Sequence, residues 1–131
     1  MTEPSTPTIH KWIAENTTYL HAADIQTAKL DVLVLLEDVL NKNRAQLLAH
    51  PELRITPEQE RILGQLLERR AKHEPLAYIR GKSEFYGREF IVNNHVLQPR
   101  PESETMIDML KKLPIRSPKI ADIGTGSGAL A

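Results

Sequence analysis

The chain has 131 residues, of which 40% are hydrophobic and 26% charged, with 17 basic and 17 acidic side chains. This composition is typical of a soluble globular protein with one ordinary domain, or a small domain and part of another. The net charge is zero, which gives no general signal for nucleic-acid binding, and the absence of cysteine excludes disulfides. The apolar stretches are too short for a membrane span, and the histidines are too scattered for a local metal site. We therefore expect a cytoplasmic protein with no metal, no membrane contact and no direct nucleic-acid binding.

The beginning of the chain predicts an amphipathic helix. Pro7 suits the first helical position after Thr6, because a helix start leaves its N–H groups unpaired and proline has none to pair. Apolar residues then recur at three- and four-residue spacing, and Asn16 interrupts the stripe. They are Ile9, Trp12, Ile13 and Leu20.

Two more helices are predicted next along the chain. The segment AKLDVLVLLEDVL is apolar nearly all round, with a narrow polar edge of Asp31, Glu37 and Asp38. It should therefore be the most buried helix of a bundle. NRAQLLAHP follows as a short helix closed by Pro51.

The segment ITPEQERILGQLLERR begins with a helix-capping pattern. Thr56 is the predicted cap, Pro57 takes the first helical position, and Gln59 reaches back to the backbone of the cap. The buried stripe of this helix is Ile62, Leu63, Leu66 and Leu67. Residues 5–80 are thus predicted to form a bundle of four or five short helices.

Basic side chains concentrate between residues 61 and 90. They are Arg61, Arg69, Arg70, Lys72, Arg80, Lys82 and Arg88. The bias is mild and is typical of charges that solvate helix faces, so it does not predict a nucleic-acid interface.

The sequence changes character after Gly81. SEFYGREFIVNNHVL combines aromatic and β-branched residues, which predicts a β-hairpin with its turn near Gly87–Arg88. Pro99 and Pro101 then favour a stiff, extended link. Residues 81–101 are therefore predicted to be a hairpin and a proline-rich linker.

A helix, a strand and a glycine loop are predicted over residues 102–131. Ser103 is placed to cap a helix, and KIADIG is expected to form a short strand before the loop. One face of that helix carries Met106, Ile107 and Leu110. The order of predicted elements is bundle, hairpin, helix, strand and glycine loop.

The loop DIGTGSG carries glycine at 124, 126 and 128. Such a loop turns tightly off a strand, admits a ligand close to the backbone and leaves peptide N–H groups pointing outward. Gly124, Gly126 and Ala129 fit the dinucleotide pattern G-x-G-x-x-A. Asp122 and Gly128 extend it to D-x-G-x-G-x-G, and a carboxylate there suits a cationic ligand better than a pyrophosphate.

Four motifs in sequence resemble the HemK family of release factor glutamine methyltransferases, also called PrmC. They read EPLAYIRG, EFYGREF, QPRPESE and ADIGTGSGAL, and the weaker likeness reaches back to about residue 25. Two positions depart from the family pattern: Gln98 replaces an aliphatic residue, which is expected to loosen packing at the end of the hairpin, and Ser103 replaces threonine.

The resemblance implies a mainly α chain with a truncated second domain. Residues 5–80 correspond to a helical bundle that recognises the substrate, and residues 81–101 to the hairpin linker. Residues 102–131 correspond to the start, with its helix, first strand and glycine loop, of an α/β Rossmann-like methyltransferase domain.

The family activity is methyl transfer from S-adenosylmethionine to the side-chain amide of the glutamine in the Gly-Gly-Gln motif of class 1 peptide release factors. The resemblance assigns cofactor binding to the glycine loop and places two residues beside the pocket. The loop residues are Asp122, Gly124, Thr125, Gly126, Ser127 and Gly128, and the residues beside the pocket are Arg100 and Glu102. The family's catalytic Asn-Pro-Pro-Tyr motif is absent from the sequence, so we expect these 131 residues alone to be inactive.

Several alternatives stay open. Glu102 and Glu104 would favour the positive end of the following helix, with Arg100 paired to one of them. Asp122 could simply cap the amides of its own loop. The chain could also act as a protein-binding module without catalysis, and Gly124, Gly126 and Ala129 allow an NAD-binding oxidoreductase.

Overall fold

The computed structural model describes residues 5–131, which contain six α-helices and one two-stranded antiparallel sheet. The helices are α1 (Ile9–Ala22), α2 (Ala28–Leu40), α3 (Arg44–Ala49), α4 (Pro57–Ala71), α5 (Leu76–Arg80) and α6 (Glu104–Lys111). The strands are β1 (Lys82–Phe85) and β2 (Arg88–Ile91). The chain divides into two compact units, of which the first ends at Ile79 and the second begins at Arg80.

The core of the first unit is a cluster of apolar side chains from the helices and the segments between them. Its members are Ile9, Trp12, Leu20, Ile25, Ala28, Val32, Leu35, Leu36, Leu47, Ile55, Leu63, Leu67 and Ile79. The predicted stripe of α1 supplies three of them, Ile9, Trp12 and Leu20. The helical character predicted for this part of the chain is confirmed.

The start of α1 differs from the prediction. Thr8, not Thr6, is the N-cap, and its side chain accepts a hydrogen bond from the N–H of Lys11. Pro7 lies outside the helix, where its carbonyl accepts from the N–H of Ile55, and Thr8 forms an isolated antiparallel bridge with Arg54. Pairing with a distant extended segment therefore moves the helix start two residues along the chain.

Helix α2 is strongly buried, as its sequence predicts, but its polar edge is not solvated throughout. Asp31 is only 3% exposed and lies among the buried residues of α2. Its Oδ2 accepts from Arg70 Nε at 2.7 Å and from Thr27 Oγ1 at 3.0 Å. Asp31 belongs to the narrow polar edge that the sequence predicts, and the structure buries it there because Arg70 of α4 supplies a partner inside the unit.

Helices α3 and α4 begin with capping boxes. At α4, Thr56 accepts from the N–H of Gln59 while the Gln59 side chain accepts from the N–H of Thr56, as predicted. At α3, Asn43 and Gln46 make the same reciprocal pair. Each box satisfies two N–H groups that a helix start leaves without intrahelical partners.

The second unit opens with the predicted hairpin. Residue Phe85 pairs with Arg88, so the turn is formed by Tyr86 and Gly87, one residue earlier than expected. Both turn residues have positive φ, 50° at Tyr86 and 72° at Gly87. This conformation matches a type I′ turn, whose twist suits the flanking strands.

Helix α6 follows a single turn of 3₁₀ helix over Pro101–Ser103. Ser103 occupies the N-cap position of α6, but its side chain makes no capping hydrogen bond because its backbone is already helical. On the predicted apolar face, Ile107 and Leu110 are half-buried while Met106 is 52% exposed.

The strand predicted over KIADIG is not formed. Residues 114–131 contain turns and bends but neither helix nor strand, and Ile123 is 93% exposed. A single strand needs a neighbour to pair its backbone groups, and the described residues offer none at this point.

Candidate functional site

The glycine loop adopts the backbone conformation that its sequence requires. Gly124, Gly126 and Gly128 have φ values of 68°, 58° and 80°, in the left-handed region that residues with a side chain rarely occupy. The N–H of Gly128 donates to the carbonyl of Thr125 at 3.0 Å, which closes a tight turn. The loop is therefore strongly curved and presents backbone on its surface.

The side chain of Asp122 makes a hydrogen bond within this loop. Its Oδ2 accepts a hydrogen bond from Thr125 Oγ1 at 2.9 Å. Both residues are exposed, so Asp122 is a local acceptor within the loop. The partner belongs to the same loop, but it is a hydroxyl and not one of the backbone amides that Asp122 was expected to cap.

A cavity of about 160 Å³ joins the glycine loop to the proline-rich link within the second unit. The lining comprises Phe85, Leu97, Gln98, Pro99, Arg100, Ser103, Gly124, Thr125, Gly126, Ser127, Ala129 and Leu130. The structure thus brings together Arg100 and four of the six predicted loop residues. Asp122, Gly128 and Glu102 do not line this cavity.

Arg100 carries the only ionisable side chain in the lining of this cavity. Among residues 5–131 it forms no ion pair with Glu102 or Glu104. Glu104 instead accepts the N–H of Tyr86 at 2.8 Å. The alternative in which Arg100 pairs with a neighbouring acid is therefore not what the structure shows.

Gln98, the departure from the family pattern, is half-buried and lines the same cavity. Its Nε2 donates to Oγ of the buried Ser83 at 3.5 Å, at the long limit for a hydrogen bond. A polar side chain at this position thus has a polar partner on β1.

The groups that line this cavity can bind a ligand by hydrogen bonds and charge. Its polar groups are a guanidinium, a carboxamide, hydroxyls and the backbone of the loop. No carboxylate, histidine or amine lines it that could act as a general base. Within residues 5–131, no group of three or more His, Asp or Glu side chains could hold a metal ion.

Four residues of the predicted basic cluster, all in the first unit, form ion pairs. Between residues 61 and 72, the pairs are Arg61–Glu58, Arg69–Glu74, Arg70–Asp31 and Lys72–Glu68. The hydrogen bond and charge of Arg69 hold the pKa of Glu74 below its ordinary value, and Arg61 acts in the same way on Glu58.

Comparison with known proteins identifies the family. The family model described as the PrmC N-terminal domain matches residues 11–81, more than half of the chain. The chain belongs to the PrmC family.

Relatives of this PrmC-family chain are named methyltransferases. The release factor glutamine methyltransferase of Coxiella burnetii is 46% identical over 81% of the chain and 39% of its own length. That of Shewanella oneidensis is 43% identical over 84% of the chain and 39% of its own length. A bifunctional methyltransferase of Rickettsia bellii is 36% identical over 94% of the chain, which covers 27% of that protein.

The chain therefore spans about two-fifths of the release factor glutamine methyltransferases it matches. No helix of residues 5–131 is both long enough and apolar enough to cross a membrane.

A second and larger cavity in this PrmC-family chain had not been predicted. It measures about 480 Å³ and is lined by Phe85, Tyr86, Arg88, Phe90, Ile107, Leu110, Lys111, Gly128, Ala129, Leu130 and Ala131. The apolar face of α6 was the sequence feature that could have indicated this cavity. The residue spacing did not show that the hairpin also lines it. Tyr86 Oη also donates to Asp108 Oδ1 at 2.7 Å, and Lys111 Nζ lies 4.5 Å from the ring centre of Tyr86.

Proposed function

We propose that these residues form the first part of an S-adenosylmethionine-dependent methyltransferase that acts on class 1 peptide release factors. The modified atom is the side-chain amide nitrogen of the glutamine in the Gly-Gly-Gln motif. The observation that carries the proposal is the cavity where the glycine loop meets Gln98, Arg100 and Ser103, in a chain of the PrmC family. Release factors act on ribosomes, so this function places the protein in the cytoplasm.

The loop fits the methionine portion of S-adenosylmethionine. Its three left-handed glycines expose backbone, and a Cβ at Gly124 or Gly128 would meet no protein atom within 4 Å. The space beside these glycines is therefore available to a ligand. When bound, the cofactor supplies an electrophilic methyl group on a sulfonium; this chain's residues would hold and orient its amino-acid end.

The cavity suits only part of the cofactor. Its volume of about 160 Å³ is smaller than the roughly 300–1,000 Å³ of a complete ligand pocket. The ribose, adenine and substrate walls would then come from a Rossmann-like domain that these residues begin. In that domain KIADIG would become the first strand, once neighbouring strands pair with it.

Catalysis by residues 1–131 alone is not expected. An amide nitrogen is a poor nucleophile, so its reaction depends on positioning and on hydrogen bonds that hold it in line with the methyl group. The sequence lacks the Asn-Pro-Pro-Tyr motif to which the family resemblance assigns that task. We propose that the helical unit recognises the release factor and that residues 81–101 link it to the methyltransferase part.

A non-catalytic binding module is the second candidate function. It is favoured by the first unit's own core, which lies wholly between Ile9 and Ile79. A module of this kind would bind a release factor but would bind no cofactor, even when joined to the rest of the enzyme.

Calorimetric titration with S-adenosylmethionine and with NAD tests these possibilities. We would titrate the 131-residue chain and a fusion in which the remaining part of the Coxiella burnetii relative follows residue 131. The fusion should bind S-adenosylmethionine in preference to NAD, and the short chain should bind neither at micromolar concentration. Preferential NAD binding by a folded fusion would overturn the family function, and micromolar cofactor binding by the short chain would overturn the divided site.

The variant Gly126→Val tests whether the glycine loop itself contributes to cofactor binding. A residue with a side chain adopts the left-handed conformation at a cost of about 1–2 kcal/mol, which corresponds to roughly tenfold in affinity. We expect at least that loss of S-adenosylmethionine binding in the fusion, with unchanged helical circular dichroism. Gly64→Val is the control, because Gly64 lies in α4 and a Cβ there would meet nothing within 4 Å. Equal effects of the two variants would exclude a specific role for the loop.

A further inference from the structure

We infer that a groove between α1 and α4 binds an arginine side chain of a protein partner. The inference goes beyond the proposed function and does not depend on it, because every residue of the groove lies in the helical unit. Three features of the groove select this side chain. They are a helix glycine without an internal role, an exposed aromatic ring, and hydrogen-bond acceptors with no cation in the lining.

The groove has a volume of about 350 Å³ and is open to solvent. Its lining comprises Asn16 and Tyr19 of α1 and Gly64, Leu67 and Glu68 of α4. On each helix these positions are three or four residues apart, so they share one face of that helix. Leu67 also belongs to the apolar core of the unit, which gives the groove an apolar base.

Gly64 has no internal reason to be glycine. It lies in the middle of α4, where glycine lowers helix stability relative to alanine. Its backbone is helical and not left-handed, so its conformation is open to any residue. A Cβ at this position would meet nothing within 4 Å, so no neighbour excludes a side chain. The missing side chain therefore leaves space for a group from another molecule.

Tyr19 supplies an exposed aromatic face. The residue is 46% exposed. Among residues 5–131 its ring makes no aromatic or cation–π contact, and its hydroxyl makes no hydrogen bond. The face of an aromatic ring attracts a cation, and a planar guanidinium can also stack on it. The ring therefore favours arginine as the occupant of the groove.

The polar groups of the groove are chiefly acceptors. Asn16 Nδ2 donates to the carbonyl of Trp12 at 2.9 Å, which leaves its Oδ1 as an acceptor. Glu68 contributes a carboxylate, and no lysine, arginine or histidine lies in the lining. A guanidinium carries five N–H donors and no acceptor, so it complements this set in charge and in hydrogen bonding.

One cation on α4 competes for this carboxylate. Lys72 Nζ lies 3.3 Å from Glu68 Oε1, and both side chains are mostly exposed. Exposed pairs of this kind are weak, because water solvates both charges and the two side chains lose conformational freedom. A guanidinium that also stacks on Tyr19 can therefore displace the ammonium from Glu68.

The test is a titration of the 131-residue chain with the peptide acetyl-Ala-Arg-Ala-amide, followed by nuclear magnetic resonance. We expect millimolar peptide to shift the backbone amides of Tyr19, Gly64 and Glu68 with one common dissociation constant. The matched peptide carries citrulline, which has the shape of arginine without its charge, and it should bind about 2- to 5-fold more weakly. Equal binding of the two peptides, or no shift at these amides with either, would overturn the inference.

Variants of α4 test the role of the carboxylate. Glu68→Gln should lower affinity for the arginine peptide by about 2- to 5-fold. Lys72→Gln should raise it, because the competing ammonium is lost. The control is Glu58→Gln, which removes an exposed carboxylate of the same helix that pairs with Arg61 and does not line the groove. An equal loss in Glu58→Gln and Glu68→Gln would show general attraction to an acidic surface and no site.

Gly64→Leu separates binding from stability. Leucine should raise the thermal melting transition, because it has a higher helix propensity than glycine and its Cβ has free space. The same side chain should fill the groove and abolish the shifts caused by the arginine peptide. Gly64→Ala should also raise the melting transition but keep most of the affinity. Binding of the peptide to a folded Gly64→Leu variant as tightly as to the unchanged chain would overturn the site.

Discussion

At the scale of single residues, Asp31 shows what a local pattern leaves undecided. Its neighbours Val32, Leu35 and Leu36 are buried, and periodicity alone places Asp31 at a polar edge. The structure buries it against Arg70, 39 positions away in sequence, at 2.7 Å from Nε to Oδ2. Arg70 Nη1 also donates to the carbonyl of Glu74 at 2.9 Å, so one guanidinium connects α2 with the residue that precedes Pro75.

Removing the Asp31 carboxylate should destabilise the first unit strongly. Asp31→Ala leaves the largely buried Arg70 without its partner, and breaking one side of such a pair typically costs about 3–5 kcal/mol. Urea unfolding followed by circular dichroism measures this loss. The control is Glu68→Ala, which breaks the exposed pair with Lys72 and should cost less than about 1 kcal/mol. Similar losses in the two variants would show that Asp31 and Arg70 do not act as a buried pair.

The glycine loop shows the opposite case, in which single residues could be predicted well. Its left-handed backbone follows from the glycines themselves, and the contact from Thr125 to Asp122 joins residues three apart. Which cavity the loop lines could not be deduced in this way, because Gln98 and Arg100 approach it through the tertiary structure of the second unit.

At the scale of elements, predictions succeeded where the deciding contacts are local. The capping box of α4 joins Thr56 and Gln59, and the hairpin needs only four residues on each side of its turn. Predictions failed where a distant partner decides. Pro7 lies outside α1, where its carbonyl accepts a hydrogen bond from the N–H of Ile55. The strand predicted over KIADIG has no neighbouring strand among the described residues.

Helix α2 is the element on which the core of the first unit depends most. Leu36 is 0% exposed, so Leu36→Ala should lower the free energy of unfolding by about 2–5 kcal/mol through lost burial and the cavity left behind. Leu30→Ala on the same helix is the matched control, because Leu30 is 49% exposed and should contribute much less. The measurement is the thermal melting transition. An unchanged transition in Leu36→Ala would show that α2 is not central to the core.

At the scale of the whole molecule, the two units differ in how completely their apolar residues are buried. The apolar cluster of the first unit contains thirteen buried residues between Ile9 and Ile79. In the second unit α6 has no buried residue, and Ile120 and Ile123 are 64% and 93% exposed. The helical unit could be predicted from sequence because its apolar stripes meet in one core, whereas apolar side chains of the second unit such as Ile120 and Ile123 stay exposed.

This difference predicts that the first unit folds independently and that residues 114–131 are not comparably stable. No backbone carbonyl of residues 5–131 accepts a hydrogen bond from the N–H of Ile120 or Ile123, whereas the Leu36 N–H lies within α2. Amide exchange requires opening of the hydrogen bond that protects the group, so exposed and unbonded amides exchange fastest. In dilute solution we expect rapid exchange at Ile120 and Ile123 and slow exchange at Leu36.

A fragment of residues 1–80 supplies the matching test of independence. It should keep a cooperative melting transition and the slow exchange at Leu36, because it retains every member of the apolar cluster. Loss of that transition in the fragment would show that the second unit stabilises the first. Exchange at Ile120 and Ile123 as slow as at Leu36 in the 131-residue chain would show that the glycine-loop segment is already part of a hydrogen-bonded structure. If both expectations hold, the helical unit is stable alone, and the glycine-loop segment is not held by stable hydrogen bonds in the 131-residue chain.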